Sequence, residues 1–272
     1  MEDPLKPIGL PFGVALIAGT RGLFCAWVRR RGDGAAAGRV DGFSMEASQL
    51  TRDLSAMYEA RGWTAATRRD LAVLREQLGR EPRAIAAVAA RCRCGEPQVV
   101  VNRPISVDAD GRFTVFPTVF WLSSPYLVRA VSALEAEGWI ARLRERLNDP
   151  EWARALSAAH AATAKLRLEL CSGEELKALR ATSPRQYRVL AESGVAGMRG
   201  ELGVKCLHAH LADYLARKEA TPEAVNPIGR EVAKLLLLRG IDLRGDCLPG
   251  TGRVGAIDVG SNSVRLWVGE WR

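Results

Sequence analysis

The chain predicts an α+β fold, with short strands first, a helical half after them, and a C-terminal β-hairpin. Three observations point there. Between Ile85 and Leu122, apolar and β-branched runs of strand length alternate with turn residues. From Ser124 to Arg239, apolar residues recur at helical spacing behind capping residues. After a Gly-rich linker, Val254 to Leu266 reads as strand, polar turn, strand.

Taken in order, residues 1–44 are rich in Gly, Arg and Ala without a steady period, and are expected to form a loosely ordered extension. Patterning improves at Met45, which suits a later start. The apolar stretch from Ile8 to Ala18 follows Glu2 and Asp3 rather than a basic segment, and Arg21 interrupts it. It fits neither an export signal nor a membrane span, which needs about 20 apolar residues.

An α+β domain is expected over 45–240. After Thr67, Leu71, Leu74 and Leu78 fall at helical spacing, with Asp70 in the first turn and Gly79 as a left-handed stop. Ile85 to Ala90 suits a buried strand, Cys92 to Pro97 a turn, and Val99 to Val101 a second strand. Asp108-Ala109-Asp110-Gly111 is a further turn. Phe113 to Leu122 suits one more strand, which Pro117 restricts to an edge or a strand start. Ser124 and Pro125 open a helix as N-cap and first residue, with Leu127, Val128, Val131 and Leu134 as its stripe and Gly138 as its end. Leu143 and Leu147 continue to Asn148-Asp149-Pro150, and Trp152, Leu156, Ala159 and Thr163 mark the next helix. Val204 to Leu215 and Glu231 to Arg239, separated by an Asn226-Pro227 turn, complete the helical half. Residues 241–253 have the composition of a linker, and 254–272 form the hairpin segment.

The net charge of +8 comes from 33 arginines and only six lysines, spread along the chain rather than gathered in a patch. Arg29-Arg30-Arg31 and Arg91-Cys92-Arg93 are short and lack interleaved aromatic residues, so nucleic-acid binding is not expected. Six cysteines occur in a chain large enough to fold without disulfides, which places it in a reducing cytoplasm with no membrane attachment.

Soft ligands cluster at Cys92-Arg93-Cys94 and Cys206-Leu207-His208-Ala209-His210. Thiolate and imidazole together suit tetrahedral zinc, and Cys92, Cys94, Cys206, His208 and His210 are the metal-ligand set. Buried thiols beside surface histidines are the competing reading. If the second segment is helical, Cys206 and His210 share a face and His208 points away. The same spacing would let His210 act as base to a Cys206 nucleophile, with Asp213 as orienter.

Several separated segments carry a resemblance: Leu78-Gly79-Arg80-Glu81-Pro82-Arg83, Arg91-Cys92 with Gly95-Glu96-Pro97-Gln98-Val99-Val100, Phe116-Pro117-Thr118-Val119-Phe120-Trp121-Leu122 with Pro125, and Val204-Lys205-Cys206-Leu207-His208-Ala209-His210 before Asn226-Pro227. Together they resemble the bacterial domain-of-unknown-function 501 family over about residues 67–240. The resemblance implies no activity. It favours Cys92, Cys206 and His208 over Cys94 as ligand positions.

The tail, Val254-Gly255-Ala256-Ile257-Asp258-Val259-Gly260-Ser261-Asn262-Ser263-Val264-Arg265-Leu266, resembles the opening of the exopolyphosphatase and guanosine-pentaphosphate phosphatase (Ppx/GppA) family. That resemblance implies a phosphate loop in which Gly260, Ser261 and Asn262 offer donors and Asp258 holds Mg²⁺ or water. Arg272 precedes the second phosphate loop and the catalytic acid that such a phosphatase needs. A truncated or split fusion without activity of its own is therefore expected, partnered by a separately encoded phosphatase domain. Magnesium is expected only with a complete phosphatase.

Overall fold

A computed structural model of the chain describes residues 54–107, 112–200, 202–217 and 225–245, with the backbone of two further strands at 253–260 and 263–270. The N-terminal extension, Met45, the Asp108 to Gly111 turn and most of the linker lie outside the described residues.

The fold is α+β, as its sequence pattern predicts. After a helical segment at 54–59, β1 (Thr64–Ala65) leads into α1 (Arg68–Leu78). Thr67 caps α1 through a reciprocal pair with Asp70, and Gly79 ends it at φ 63°. β2 (Ile85–Arg91) and β3 (Pro97–Asn102) follow, then β4 (Ile105–Val107), β5 (Phe113–Val115) and β6 (Phe120–Leu122). The first sheet is antiparallel in the order β1-β2-β3-β6, and β4 and β5 form a separate pair.

The single strand expected from Phe113 to Leu122 is two strands in two sheets. Pro117 has no N–H to give to a ladder, and the residues around it pair elsewhere. Phe116 N donates to Pro104 O, while Pro117 O accepts from the Arg167 side chain.

The helical half contains α2 (Pro125–Ala136), α3 (Trp139–Glu145), α4 (Pro150–Glu169), α5 (Gly173–Thr182), α6 (Pro184–Glu192), α7 (Leu207–Arg217) and α8 (Pro227–Leu238). Ser124 and Asn226 cap α2 and α8 ahead of proline at the first position. The Asn226-Pro227 turn is therefore the start of a helix. No helix among the described residues is long and apolar enough to cross a membrane.

The main core joins Val99 and Val101 of β3 and Phe120 of β6 to Leu127 and Val131 of α2, Leu207 and Leu211 of α7, and Ile228 and Val232 of α8. α7 is its axis. At its contact with α8, a Cβ added to Gly229 would lie 2.2 Å from His210 O and 2.5 Å from the Tyr214 side chain. Only glycine permits that approach. A smaller cluster of Ile105, Cys171, Leu179 and Leu190 joins β4 to α5 and α6. Its Cys171 acts as a small hydrophobe, and burial pushes the thiol up to about 12.

The tail forms β7 (Arg253–Gly260) and β8 (Ser263–Glu270), antiparallel with Gly260 opposite Ser263. This is the expected C-terminal hairpin, and its two-residue turn, Ser261 and Asn262, lies outside the described residues.

Candidate functional site

α7 begins where the chain leaves an extended segment, so its first N–H groups have no helical partner. Glu135, on the last turn of α2, supplies one: its Oε1 accepts from Leu207 N at 2.7 Å. The same oxygen lies 3.2 Å from His208 Nδ1, and Cys206 Sγ lies 3.8 Å from that nitrogen. Glu135, Cys206 and His208 thus offer a carboxylate, a thiol and an imidazole whose donor atoms all lie within 4.8 Å of one another. No other group of three such residues occurs among the described residues.

The other ring nitrogen fixes how this imidazole is used. His208 Nε2 is 3.1 Å from Val128 O and 3.1 Å from Ser132 Oγ. A carbonyl only accepts, so Nε2 carries a proton and Nδ1 is the nitrogen facing Cys206 and Glu135. Burial alone would lower the His208 pKa, but the contacts with Cys206 and Glu135 outweigh it and raise the value above the ordinary one. Nδ1 therefore holds a second proton readily, and a cation could take that proton's place.

The helical-face argument for Cys206 and His210 fails here. Cys206 stands one residue before α7, in the position whose side chain folds back over the second and third helical residues, so it meets His208. His210 points into the core with no exposed surface, and its Nδ1 pairs with Asn226. Asp213 is committed to Arg217. The Cys206–His210–Asp213 nucleophile reading is corrected accordingly. Cys206 and Glu135 also share a single nitrogen of His208, whereas a base that relays a proton uses two.

Cys92 and Cys94 lie in the β2–β3 turn, Cys92 buried and accepting from Glu96 N, Cys94 exposed. Neither joins the Glu135 cluster. Asp258 and Gly260 lie on β7, and Ser261 and Asn262 lie outside the described residues.

Beneath α7 runs a buried polar network that composition and spacing did not reveal. Asp213 accepts from Arg217 at 2.7 Å, from Asn226 Nδ2 at 3.0 Å and from Thr163 Oγ1 at 3.0 Å. Asn226 Oδ1 accepts from Gly229 N. His160 Nδ1 accepts from Val195 N at 3.1 Å. His160 therefore carries its proton on Nε2, whereas His210 Nδ1 faces both the oxygen and the nitrogen of the Asn226 amide, at 3.2 and 3.1 Å, and neither ring finds a partner for Nε2 among the described residues. Burial lowers both pKa values, His210 to about 4. A ring whose far nitrogen accepts a hydrogen bond lacks the outward N–H that supports a metal-ligating histidine, so His160 differs in kind from His208.

A slot of about 260 Å³ opens beside the cluster, between β6 and the start of α7, with Phe120, Leu122, Lys205, Cys206 and His208 among its walls. A larger cleft of about 590 Å³ lies between α4 and the segment after α6, with His160, Lys165 and Arg199 on its walls.

A family model described as "Protein of unknown function (DUF501)" matches residues 88–234, a span holding both the Glu135 cluster and the buried network. No curated protein matches the chain, and no solved structure does.

Proposed function

The chain belongs to the DUF501 family of proteins of unknown function, and we propose that its domain is a zinc-stabilised accessory module. The observation that carries this reading is the convergence of the Glu135, Cys206 and His208 donor atoms, with the far side of the imidazole anchored to Val128 O. Thiolate, imidazole and carboxylate form a ligand set suited to zinc, and a backbone carbonyl behind the histidine is the usual outer-shell support. Such an ion would clip the end of α2 to the start of α7. With three protein ligands, a fourth position would remain for water or another donor.

Freshly purified, reduced protein is expected to carry close to one zinc per chain by elemental analysis, and Cys206→Ser to lose it to a chelator that leaves the parent protein loaded. Acid should release the metal as well. The proton competes for His208 Nδ1, so zinc affinity weakens progressively as pH falls below the raised His208 pKa. Metal-free reduced protein would end the reading.

The hairpin supports a link to polyphosphate or (p)ppGpp metabolism. β7 and β8 pair around the position where the resemblance puts a phosphate loop, and such a strand–turn–strand can present backbone amides to an anion. The alternative, that the hairpin belongs to a phosphoanhydride hydrolase as the N-terminal part of a split phosphatase, has the same observation behind it. Polyphosphate hydrolysis separates them: this chain is expected to give background only, and turnover abolished by Asp258→Ala would favour the enzyme. A cytoplasmic setting agrees with the free thiols at Cys94, Cys171 and Cys206.

A further inference from the structure

A pocket of about 330 Å³ opens where β2 and β3 fall out of step, beside the last turn of α7. Val88 pairs with Val100 and Ala90 with Val99, which leaves Ala89 without a partner across the ladder. Arg91 then pairs with Pro97, which leaves Gln98 without one. Bulges of this kind bend a strand, re-aim its side chains and gather beside functional sites. Ala89 and Gln98 both line the pocket.

Gln98 is 2% exposed, and its amide nitrogen has no hydrogen-bond partner among the described residues. A buried amide without a partner opposes folding and calls for something to bond with. A half-turn about its last side-chain bond exchanges the oxygen and the nitrogen, so the amide can offer either end.

Three arginines on the same wall supply charge. Arg61 is braced by Glu169 at 2.8 Å and by Met57 O, and Arg91 by Asp70 at 2.6 Å, Gly95 O and Thr64 Oγ1. Arg244 differs. Its N donates to the Asp242 carboxylate and its O accepts from Arg93 N, while its exposed guanidinium bonds to no described residue. Three guanidinium groups against the two carboxylates that brace them leave the wall positive, and their planar forks match oxyanions. A phosphoryl group, with nearly two charges and three strong acceptor oxygens, uses more of these donors than a carboxylate does. The volume is that of a small-molecule site, about 300–1,000 Å³. Ala216 and Leu243 give the rest of it an apolar lining.

We propose that this pocket binds a small organic phosphate, whose phosphoryl oxygens accept from Arg244 and the Gln98 amide, with Arg61 and Arg91 completing the positive wall. The site shares no residue with the Glu135 cluster, so it goes beyond the zinc reading and stands without it.

The test is calorimetric titration of the full chain with phenyl phosphate, inorganic phosphate and benzoate, with the Gln98 side-chain amide followed by NMR. Phenyl phosphate is expected to bind once per chain, to shift the Gln98 amide signals, and to bind about tenfold more weakly to Arg244→Gln, a change at an exposed side chain. Gln98→Leu removes an unpaired buried amide, so it is expected to unfold at no lower temperature than the parent while losing the same binding. Failure of phenyl phosphate to bind would overturn the proposal, as would binding that both substitutions leave unchanged. Benzoate binding as tightly would overturn the phosphoryl assignment, and inorganic phosphate binding as tightly would overturn the organic part. Binding is expected to survive chelation, which separates this site from the metal.

Discussion

Arg167→Leu is expected to lower the unfolding free energy by about 3–5 kcal/mol, the cost typical of leaving buried polar groups without their charged partner. Arg167 is fully buried, and no carboxylate among the described residues bonds to it. Its guanidinium donates instead to four main-chain carbonyls: Pro117 at 2.8 Å, Leu190 at 2.7 Å, Ser193 at 2.6 Å and Gly194 at 3.2 Å. Burial pulls its pKa down to about 10, which still leaves it charged at neutral pH. Leucine would fill much of the volume and satisfy none of the carbonyls, each costing about 1–3 kcal/mol when buried unpaired. At about 2–4 °C per kcal/mol for a chain of this size, thermal unfolding should fall by roughly 6–20 °C. Arg167→Lys keeps the charge but not the planar fork, and should fall between the two. A loss under about 1 kcal/mol for the leucine variant would mean that water reaches those carbonyls.

Asp213→Ala should cost a similar amount, about 3–5 kcal/mol, for a different reason. It strands a cation. Arg217 and Asp213 are 6% and 2% exposed at the side chain, and Asp213 also takes the Asn226 amide and the Thr163 hydroxyl. Asn226 is in turn the N-cap of α8, so the loss loosens the turn that starts that helix. Replacing both charged residues, as Asp213→Ala with Arg217→Met, should recover part of the stability, because the desolvation penalty then disappears with the charge. Urea denaturation of the single and double variants measures the coupling, and strictly additive losses would show that the pair does not act as a unit.

What the sequence discloses here is local chemistry. Ser124 and Pro125 are legible because a cap needs a short oxygen-bearing side chain at one position and proline suits the next, whereas Asn226-Pro227, the same local pair, reads as a turn until the helix behind it is seen. Pro117 signals an interruption, but whether one strand bends there or two sheets part depends on Arg167, 50 residues away. Cys206 and His208 attract notice by type. Their meeting depends on where α7 begins, and a shift of one residue exchanges His210 for His208 as the partner. Glu135 gives no signal, since it lies 72 residues from the amide it caps. Arg167 is concealed by abundance: among 33 arginines, composition cannot single out the one that is buried.

The two margins of the first sheet are unequal. β1, on one side, is two residues long, and β2 carries register shifts against β3. A short, irregular margin gives a neighbouring molecule little template to zip onto. The β6 side is longer but covered, with Phe120 and Leu122 buried and the start of α7 lying against it, so neither margin of this sheet offers a long open template to another copy.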